Sequence, residues 1–266
     1  MPELPDVETF KRTLARQALG KKIARVVVDD PRILGKLSAR GFSRRLSGKK
    51  LVTARRYGKH LLAKIEGDGW LTLHFGMTGG LQFYKASAAA PPFTCVRLDF
   101  QSGDHLAYTN KRMIGRVGWV EDADDFIASE ELGPDALDRR FTFAAFKKVL
   151  AGNRRDLKSV LMDQQLIAGI GNIYSDEILF QARLNPRTRV DALDSSRLRR
   201  LYHTIRSVLK TAVARRAGSE QFIERMPRGA LLPMRRKAGT CPRCGKALKI
   251  MTIGGRTSYY CAQCQR

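Results

Sequence analysis

Acidic residues are scarce in this chain, and long apolar runs, repeats and biased tracts are absent. Only 25 Asp and Glu stand against 49 Lys and Arg among 266 residues, a formal net charge of +24. So large a deficit of negative charge makes a polyanion the expected partner, nucleic acid first and an anionic membrane surface second. No apolar stretch approaches the roughly 18 to 20 residues of a spanning helix, which excludes a helical membrane anchor. The N-terminus lacks the charged-then-apolar layout of a signal peptide, so a cytoplasmic protein is expected. No period recurs and no low-complexity tract interrupts the chain, so it does not read as an array of like units. With 43% hydrophobic residues the chain is not disordered, and its length suggests roughly two domains.

Cysteine is also sparse, and its placement is uneven. Of five cysteines, Cys95 stands alone in a strand-like stretch and reads as a small buried hydrophobe. The other four lie in "CPRCGKALKIMTIGGRTSYYCAQC": Cys241 and Cys244, sixteen residues, then Cys261 and Cys264. Two residues between cysteines let a tight turn aim both thiolates at one ion, and two such pairs are the ligand set of a tetrahedral zinc site. Disulfides suit a reducing compartment poorly. Four protein ligands leave no position for water, so one structural Zn2+ is expected to hold a fold rather than do chemistry. Between the pairs, two strand-type runs joined by Gly254 and Gly255 read as a zinc-stapled hairpin with Arg256 at its turn, either a solvated charge or a phosphate contact.

Along the chain three regions appear. Leu4, Val7, Phe10, Leu14 and Ala18 recur at helical spacing, with Gly20 as a stop. Short strand-like stretches follow, among them "IARVVVDD", "LVTARRYGKHLLAKI", "WLTLHFGMTGGLQFY", "CVRLDF", "HLAYTN" and "RVGWVED", and they suggest a two-sheet sandwich or barrel. From about Leu132 the pattern turns helical, and a loop-rich linker, "AGSEQFIERMPRGALLPMRRKAG", leads to the cysteines. The expected class is therefore α+β and multidomain: a β-sandwich domain with its N-terminal helix over 1–131, a helical domain with linker over 132–235, and a zinc-finger hairpin over 236–266. In "LMDQQLIAGIGNIYSDEILF" one helix is expected to end near Ala168 and Asn172 to cap the next. The backbone amides of that glycine turn, with the positive end of the second helix, would either bind phosphate or simply make a structural hairpin.

The first eight residues, "MPELPDVE", pose a chemical question. Removal of the initiator methionine would expose Pro2 as a free secondary amine. An α-amino group has a pKa near 8, so a useful fraction is unprotonated and nucleophilic at neutral pH.

Together, "MPELPDVE", "DLKSVLMDQQLIAGIGNIYSDEILF" and the four-cysteine ribbon resemble the formamidopyrimidine-DNA glycosylase and endonuclease VIII family, closer to the former. The resemblance runs in order along the whole chain. It implies a β-sandwich carrying a catalytic amine, a helix-two-turn-helix domain and a zinc finger, with duplex DNA bound in the cleft between. It further implies a monomeric bifunctional DNA glycosylase and abasic-site lyase of base excision repair. Pro2 would attack the sugar C1′, expel the base and form an imine, and β,δ-elimination would then cut the strand. Glu3 would carry the protons, with a helix-end charge as its structural alternative.

By the same resemblance Lys59 would contact phosphate near the lesion and belong to the catalytic set. Asn172 and Arg256 would also bind phosphate, Lys158 would lie near the damaged nucleotide, Glu177 would support the active site, and Met77 would fill the gap left by the flipped base. The chain departs from the family pattern in three places. "NKRMIG" replaces "DPRRFG", keeping Arg112 but putting Ile114 where a stacking phenylalanine is usual. "FTCV" replaces "HDHV", and "GSEQFIERMPRGALL" stands where the lesion-capping loop begins. Oxidised or ring-opened purines are the expected substrates, with oxidised pyrimidines or bulky, crosslinked lesions as the alternative. A second reading is a damaged-DNA-binding protein without catalysis. In each, affinity for DNA should fall steeply with salt.

Overall fold

The computed structural model describes residues 1–35 and 37–266. It comprises two compact units, one of residues 1–2 and 6–130, the other of residues 3–5 and 131–266. Helix α1 (Leu4–Gln17) therefore starts in the second unit and runs into the first.

The first unit is a β-sandwich. One antiparallel sheet has the order β1 (Ile23–Val28), β6 (Thr94–Phe100), β7 (His105–Asn110), β5 (Gly79–Tyr84). The other has the order β2 (Leu51–Tyr57), β3 (His60–Ile65), β4 (Trp70–His74), β8 (Arg116–Val120). Alternation along the strands builds the core: Val96, Leu98 and Phe100 from β6, Leu106 and Tyr108 from β7, Leu71 and Leu73 from β4, and Leu61, Ala63 and Ile65 from β3 are all buried in one cluster. The apolar stripe of α1, Val7, Leu14 and Ala18, joins the same cluster at zero exposure. Two short helices had no counterpart in the sequence reading, α2 (Ala39–Leu46) and α3 (Ala123–Ser129). The side chains of Ser38 and Asp122 cap them, and each buries only two residues, too short a stripe to show a helical period. Cys95 is 3% exposed within this core, and burial pushes its thiol pKa up, as its reading as a small hydrophobe requires.

The second unit is helical, with a small hairpin. It contains α4 (Phe143–Leu150), α5 (Leu157–Met162), α6 (Asn172–Gln181) and α7 (Ser195–Arg215), followed by β9 (Lys249–Ile253) and β10 (Arg256–Tyr260). Helix α6 is enclosed: every residue from Tyr174 to Phe180 is buried, including Ser175, Asp176 and Glu177. Around it pack Leu4, Val160, Leu161, Ile205 and Leu209. The expected helix end near Ala168 is corrected to Met162. There Asp163 folds the chain into a turn by accepting the Gln165 amide at 3.0 Å, which competes with helical continuation. Among the described residues no helix is long and apolar enough to cross a membrane.

Candidate active site and nucleic-acid interface

In the second unit the site is built from the N-terminus of α6. Its first amides have no intrahelical acceptor and carry the positive end of the helix dipole. The sequence suggested Asn172 as the cap. Instead Asn172 is the first helical residue, Gly171 precedes it, and neither supplies a side-chain cap. The cap comes from Glu3, about 170 residues away. One carboxylate oxygen accepts the Gly171 amide at 2.7 Å and the Tyr174 amide at 3.2 Å, and the other accepts Ile173 at 2.8 Å. Glu3 has no solvent exposure. The Leu4 amide, donating to Gly169 O at 3.0 Å, fixes the approach of this segment. Gly171 must be glycine for this to fit, since a Cβ there would stand 2.5 Å from Glu3 Cδ. Asn172 keeps its side-chain oxygen buried without a hydrogen-bond partner among the described residues.

A second carboxylate, this one from α6 itself, holds the hairpin. Asp176 accepts Lys158 Nζ at 2.5 Å, Arg235 Nε at 2.8 Å, Ser258 Oγ at 2.6 Å and the Tyr259 amide at 3.1 Å. One side chain thus gathers α5, α6, the linker and β10. Lys158 has no exposure, and its remaining protons reach Asn172 O at 3.4 Å and Thr257 O at 3.3 Å. Its ammonium is thus engaged inside the protein by three oxygens. Burial lowers its pKa and Asp176 works in the opposite direction. Neighbouring Glu177 accepts Gln181 Nε2 at 2.6 Å and the Leu232 amide at 2.8 Å, tying α6 to the linker, and burial raises its pKa.

At the hairpin tip Gly254 and Gly255 both take positive φ, 55° and 70°, the geometry of a two-residue hairpin turn that other residues adopt poorly. Arg256, directly after it, is exposed. At the base of the hairpin the sulfurs of Cys241, Cys244, Cys261 and Cys264 lie within 4.8 Å of one another. The pairs Cys241–Cys264 and Cys244–Cys261 are 3.8 and 3.5 Å apart. A tetrahedral zinc with bonds of about 2.3 Å requires sulfurs about 3.8 Å apart, so the four thiols fit one structural zinc.

In the first unit the predicted residues gather at two turns and a loop. Lys59 sits in the two-residue turn between β2 and β3, where Tyr57 pairs with His60, and is only 8% exposed. Met77 lies half-buried in the β4–β5 loop, and Arg112 Nη1 approaches its sulfur at 3.4 Å. The Arg112 amide also donates to Thr78 Oγ1 at 3.1 Å. Backbone of the following loop passes so close to the Met77 loop that a Cβ on Gly76 would meet Ile114 O at 2.5 Å. Ile114 itself projects outward, 47% exposed. Met77, Arg112 and Ile114 therefore form one patch.

Pro2 is half-buried, and with Met1 in place its nitrogen is an amide. Sequence reasoning missed His60 and His74, whose rings lie 4.9 Å apart, tilted by 36°, beside Phe126 in a cavity of about 440 Å³. Burial holds their pKa values down, to about 3 and about 4. It also missed Asp176 and Arg235. A carboxylate beside Glu177, immediately before the apolar run Ile178–Phe180, was the available signal for Asp176, whereas nothing local marked Arg235.

Three family descriptions match in order: "Formamidopyrimidine-DNA glycosylase N-terminal domain" over residues 1–117, "Formamidopyrimidine-DNA glycosylase H2TH domain" over 132–224, and "Zinc finger found in FPG and IleRS" over 240–266. A formamidopyrimidine-DNA glycosylase of Moorella thermoacetica is 37% identical, with 94% of each chain covered. One of Carboxydothermus hydrogenoformans is 37% identical over the whole of both chains. Among solved structures, Lactococcus lactis Fpg in complex with abasic-site DNA superposes with a TM-score of 0.88 at 26% identity, covering 99% of each chain. The wild-type Lactococcus lactis protein with N7-benzyl-Fapy-dG DNA gives 0.87 at 25% identity, covering 100% of each.

Proposed function

This chain belongs to the formamidopyrimidine-DNA glycosylase family, and from that premise we propose that it excises damaged bases from duplex DNA and cuts the strand, with Pro2 as nucleophile. The single observation that carries the reading is the carboxylate of Glu3, next in the chain to Pro2, fully buried and held by three amides at the head of α6. Removal of Met1 frees the Pro2 amine. Its lone pair bonds to the sugar C1′ as the damaged base departs with the C1′–N bond electrons. The nitrogen then gives up its own proton, its lone pair opens the sugar ring, the ring oxygen takes a proton, and the nitrogen is left as an iminium. Because a secondary amine cannot discharge that iminium by losing a proton from nitrogen, the positive charge persists and acidifies the C2′ hydrogen. Loss of that proton expels the 3′ phosphate, and a second elimination releases the 5′ phosphate. Water finally returns Pro2 as the free amine.

Glu3 carries protons in these steps. Its fixed orientation supports this role, since a proton carrier held by backbone amides cannot swing away. Lys59, Asn172 and Arg256 engage phosphates around the lesion, Met77 and Arg112 enter the gap left by the extruded base, and Glu177 steadies the linker over α6. The functional division is 1–131 for chemistry, 132–235 for the helix-two-turn-helix and linker, and 236–266 for the zinc hairpin. Substrates are oxidised or ring-opened purines, encountered on cytoplasmic DNA. Lys158, being enclosed, acts by holding Asp176 rather than by touching DNA.

The test is borohydride trapping on duplexes carrying 8-oxoguanine, ring-opened guanine, an oxidised pyrimidine, a crosslink or an abasic site, with wild type and Pro2→Gly. Wild-type adducts lost in Pro2→Gly support the amine mechanism. An equally active Pro2→Gly variant removes it, and an absence of adducts with every duplex favours a protein that binds damage without processing it. Excision of pyrimidine or crosslinked lesions in preference to purines would move the substrate assignment while leaving the chemistry in place.

A further inference from the structure

Phe93 is the most exposed phenylalanine among the described residues, at 56%. It stands immediately before β6, in the segment "PPFTCV", where the family pattern has a histidine-rich sequence. Its exposure is not that of a loose loop. The backbone is in the left-handed region at φ 60°, a conformation unfavourable for a residue with a Cβ that persists only where its surroundings impose it. Two bonds impose it here: the Asn110 amide donates to Phe93 O at 2.9 Å, and Thr94 Oγ1 donates to Pro91 O at 2.6 Å. The ring is thus presented outward by a strained and pinned turn, and an outlier of this kind is a reason to look for a ligand.

The neighbours indicate which ligand. Asn110 is the last residue of β7, and the chain continues directly into Lys111, Arg112, Met113 and Ile114. Lys111 Nζ lies 5.4 Å from the Phe93 ring centroid, and Lys111 and Arg112 are both exposed. Met113 turns inward at φ 53°, its sulfur 3.5 Å from Cys95 Sγ, which leaves Ile114 pointing outward on the far side. Asn110 joins the two sides: Phe93 bonds its amide, Gly79, two residues after Met77, pairs with it across the sheet, and exposed Lys111, Arg112 and Ile114 follow it in the chain. Cations that seek phosphate, with apolar groups able to enter a base stack, are the combination by which proteins wedge open nucleic acid.

Resting on the reading above, we propose that Phe93 stacks on a base of the bound duplex at the gap left by the extruded nucleotide, supplying the aromatic face that Ile114 cannot. Phe93 is then a positioning residue that sets affinity and opposite-base tolerance. A π face stacks on any base, so this chain should discriminate the opposite base weakly.

The experiment places 2-aminopurine opposite an abasic site and measures its fluorescence and the Kd for wild type, Phe93→Ala, Phe93→Leu and Phe93→Trp. The expected result is quenching by wild type, loss of quenching with about tenfold or more weaker binding in Phe93→Ala, and recovery of both in Phe93→Trp. Phe93→Leu keeps apolar bulk without a π face and is expected to leave quenching lost. Wild-type affinity and quenching in Phe93→Ala would overturn the inference, as would full recovery of quenching in Phe93→Leu. Borohydride trapping of the wild type on the same duplex separates the two readings. Trapping with an indifferent Phe93→Ala defeats this inference alone, whereas a wild type that forms no adduct defeats the glycosylase reading itself.

Discussion

Replacing Glu3 by Gln is the sharpest perturbation the structure offers, because it exchanges one oxygen for an NH2 group and leaves shape almost unchanged. The carboxylate accepts three amides, two on one oxygen at 2.7 and 3.2 Å and one on the other at 2.8 Å. An amide can serve only one of these two sites. With its oxygen toward Gly171 and Tyr174, its NH2 faces the Ile173 N–H, donor against donor. Leaving one such buried donor unmet costs about 1–3 kcal/mol. Removing a charge from a helix N-terminus in a partly buried setting costs up to about 2 kcal/mol more. The sum, about 1–5 kcal/mol, is a large share of an ordinary domain's stability of about 5–15 kcal/mol. At roughly 3 °C per kcal/mol for a unit of this size, the expected fall in Tm is about 3–15 °C, read by calorimetry or by urea unfolding.

Base excision should fall further, by at least about 100-fold, since a general acid–base group contributes about 10²–10⁴. The two effects separate at 20 °C, where a variant retaining even about 3 kcal/mol is more than about 99% folded, so that unfolding cannot account for a 100-fold loss. A Tm within about 1 °C of wild type would refute the reasoning about the charged cap. A lower Tm with undiminished excision would make Glu3 a purely structural residue.

Three other perturbations have defined outcomes. His60 and His74 are held to about 3 and about 4 by burial, below the unfolded value of about 6.5, so the unfolded chain binds more protons and stability falls as pH drops from about 6.5 towards 4. At pH 5 each should cost about 2 kcal/mol, and the difference in stability between wild type and His60→Phe should therefore change by about that much between pH 7 and pH 5; a constant difference would contradict the assignment. Glu177, whose pKa is raised, acts with the opposite sign, so the comparison of variants is more informative than a single pH profile. Asp176→Asn leaves Lys158 and Arg235 facing a neutral group and should cost about 3–5 kcal/mol, partly recovered in the double variant with Lys158→Met; strict additivity in that cycle would deny the coupling. Chelating zinc should disorder β9 and β10 and weaken DNA binding, detected by circular dichroism and by gel shift, and unchanged affinity in the chelated protein would remove the hairpin from the interface.

Much of the fold was legible because it rests on local pattern. The helical spacing of Val7, Leu14 and Ala18 and the alternation within "CVRLDF" record which side faces the core, and both appear as such in the structure, whereas Leu4, in the same stripe, joins the core of the second unit. Paired cysteines state their geometry through spacing alone. What stayed hidden depends on residues far apart. Nothing in the sequence pairs Lys158 with Asp176, eighteen positions on, yet the packing of α6 removes both from water as an ion pair. Asn172 has the right residue type for a cap, yet it falls one position inside the helix and the amides a cap would serve are taken by Glu3. The two readings of Glu3, a helix-end charge and a proton carrier, looked like alternatives in the sequence because one is a structural role and the other a chemical one. The geometry makes them compatible: three amides that stabilise the carboxylate also fix where its oxygens point. Gly171 follows from the same requirement, since any Cβ would occupy the space of the Glu3 carboxyl carbon. "PE" at the start of the chain and "GIGN" in its middle are therefore halves of one constellation, and a Gly171→Ala substitution should disturb Glu3 chemistry as surely as a change at Glu3 itself.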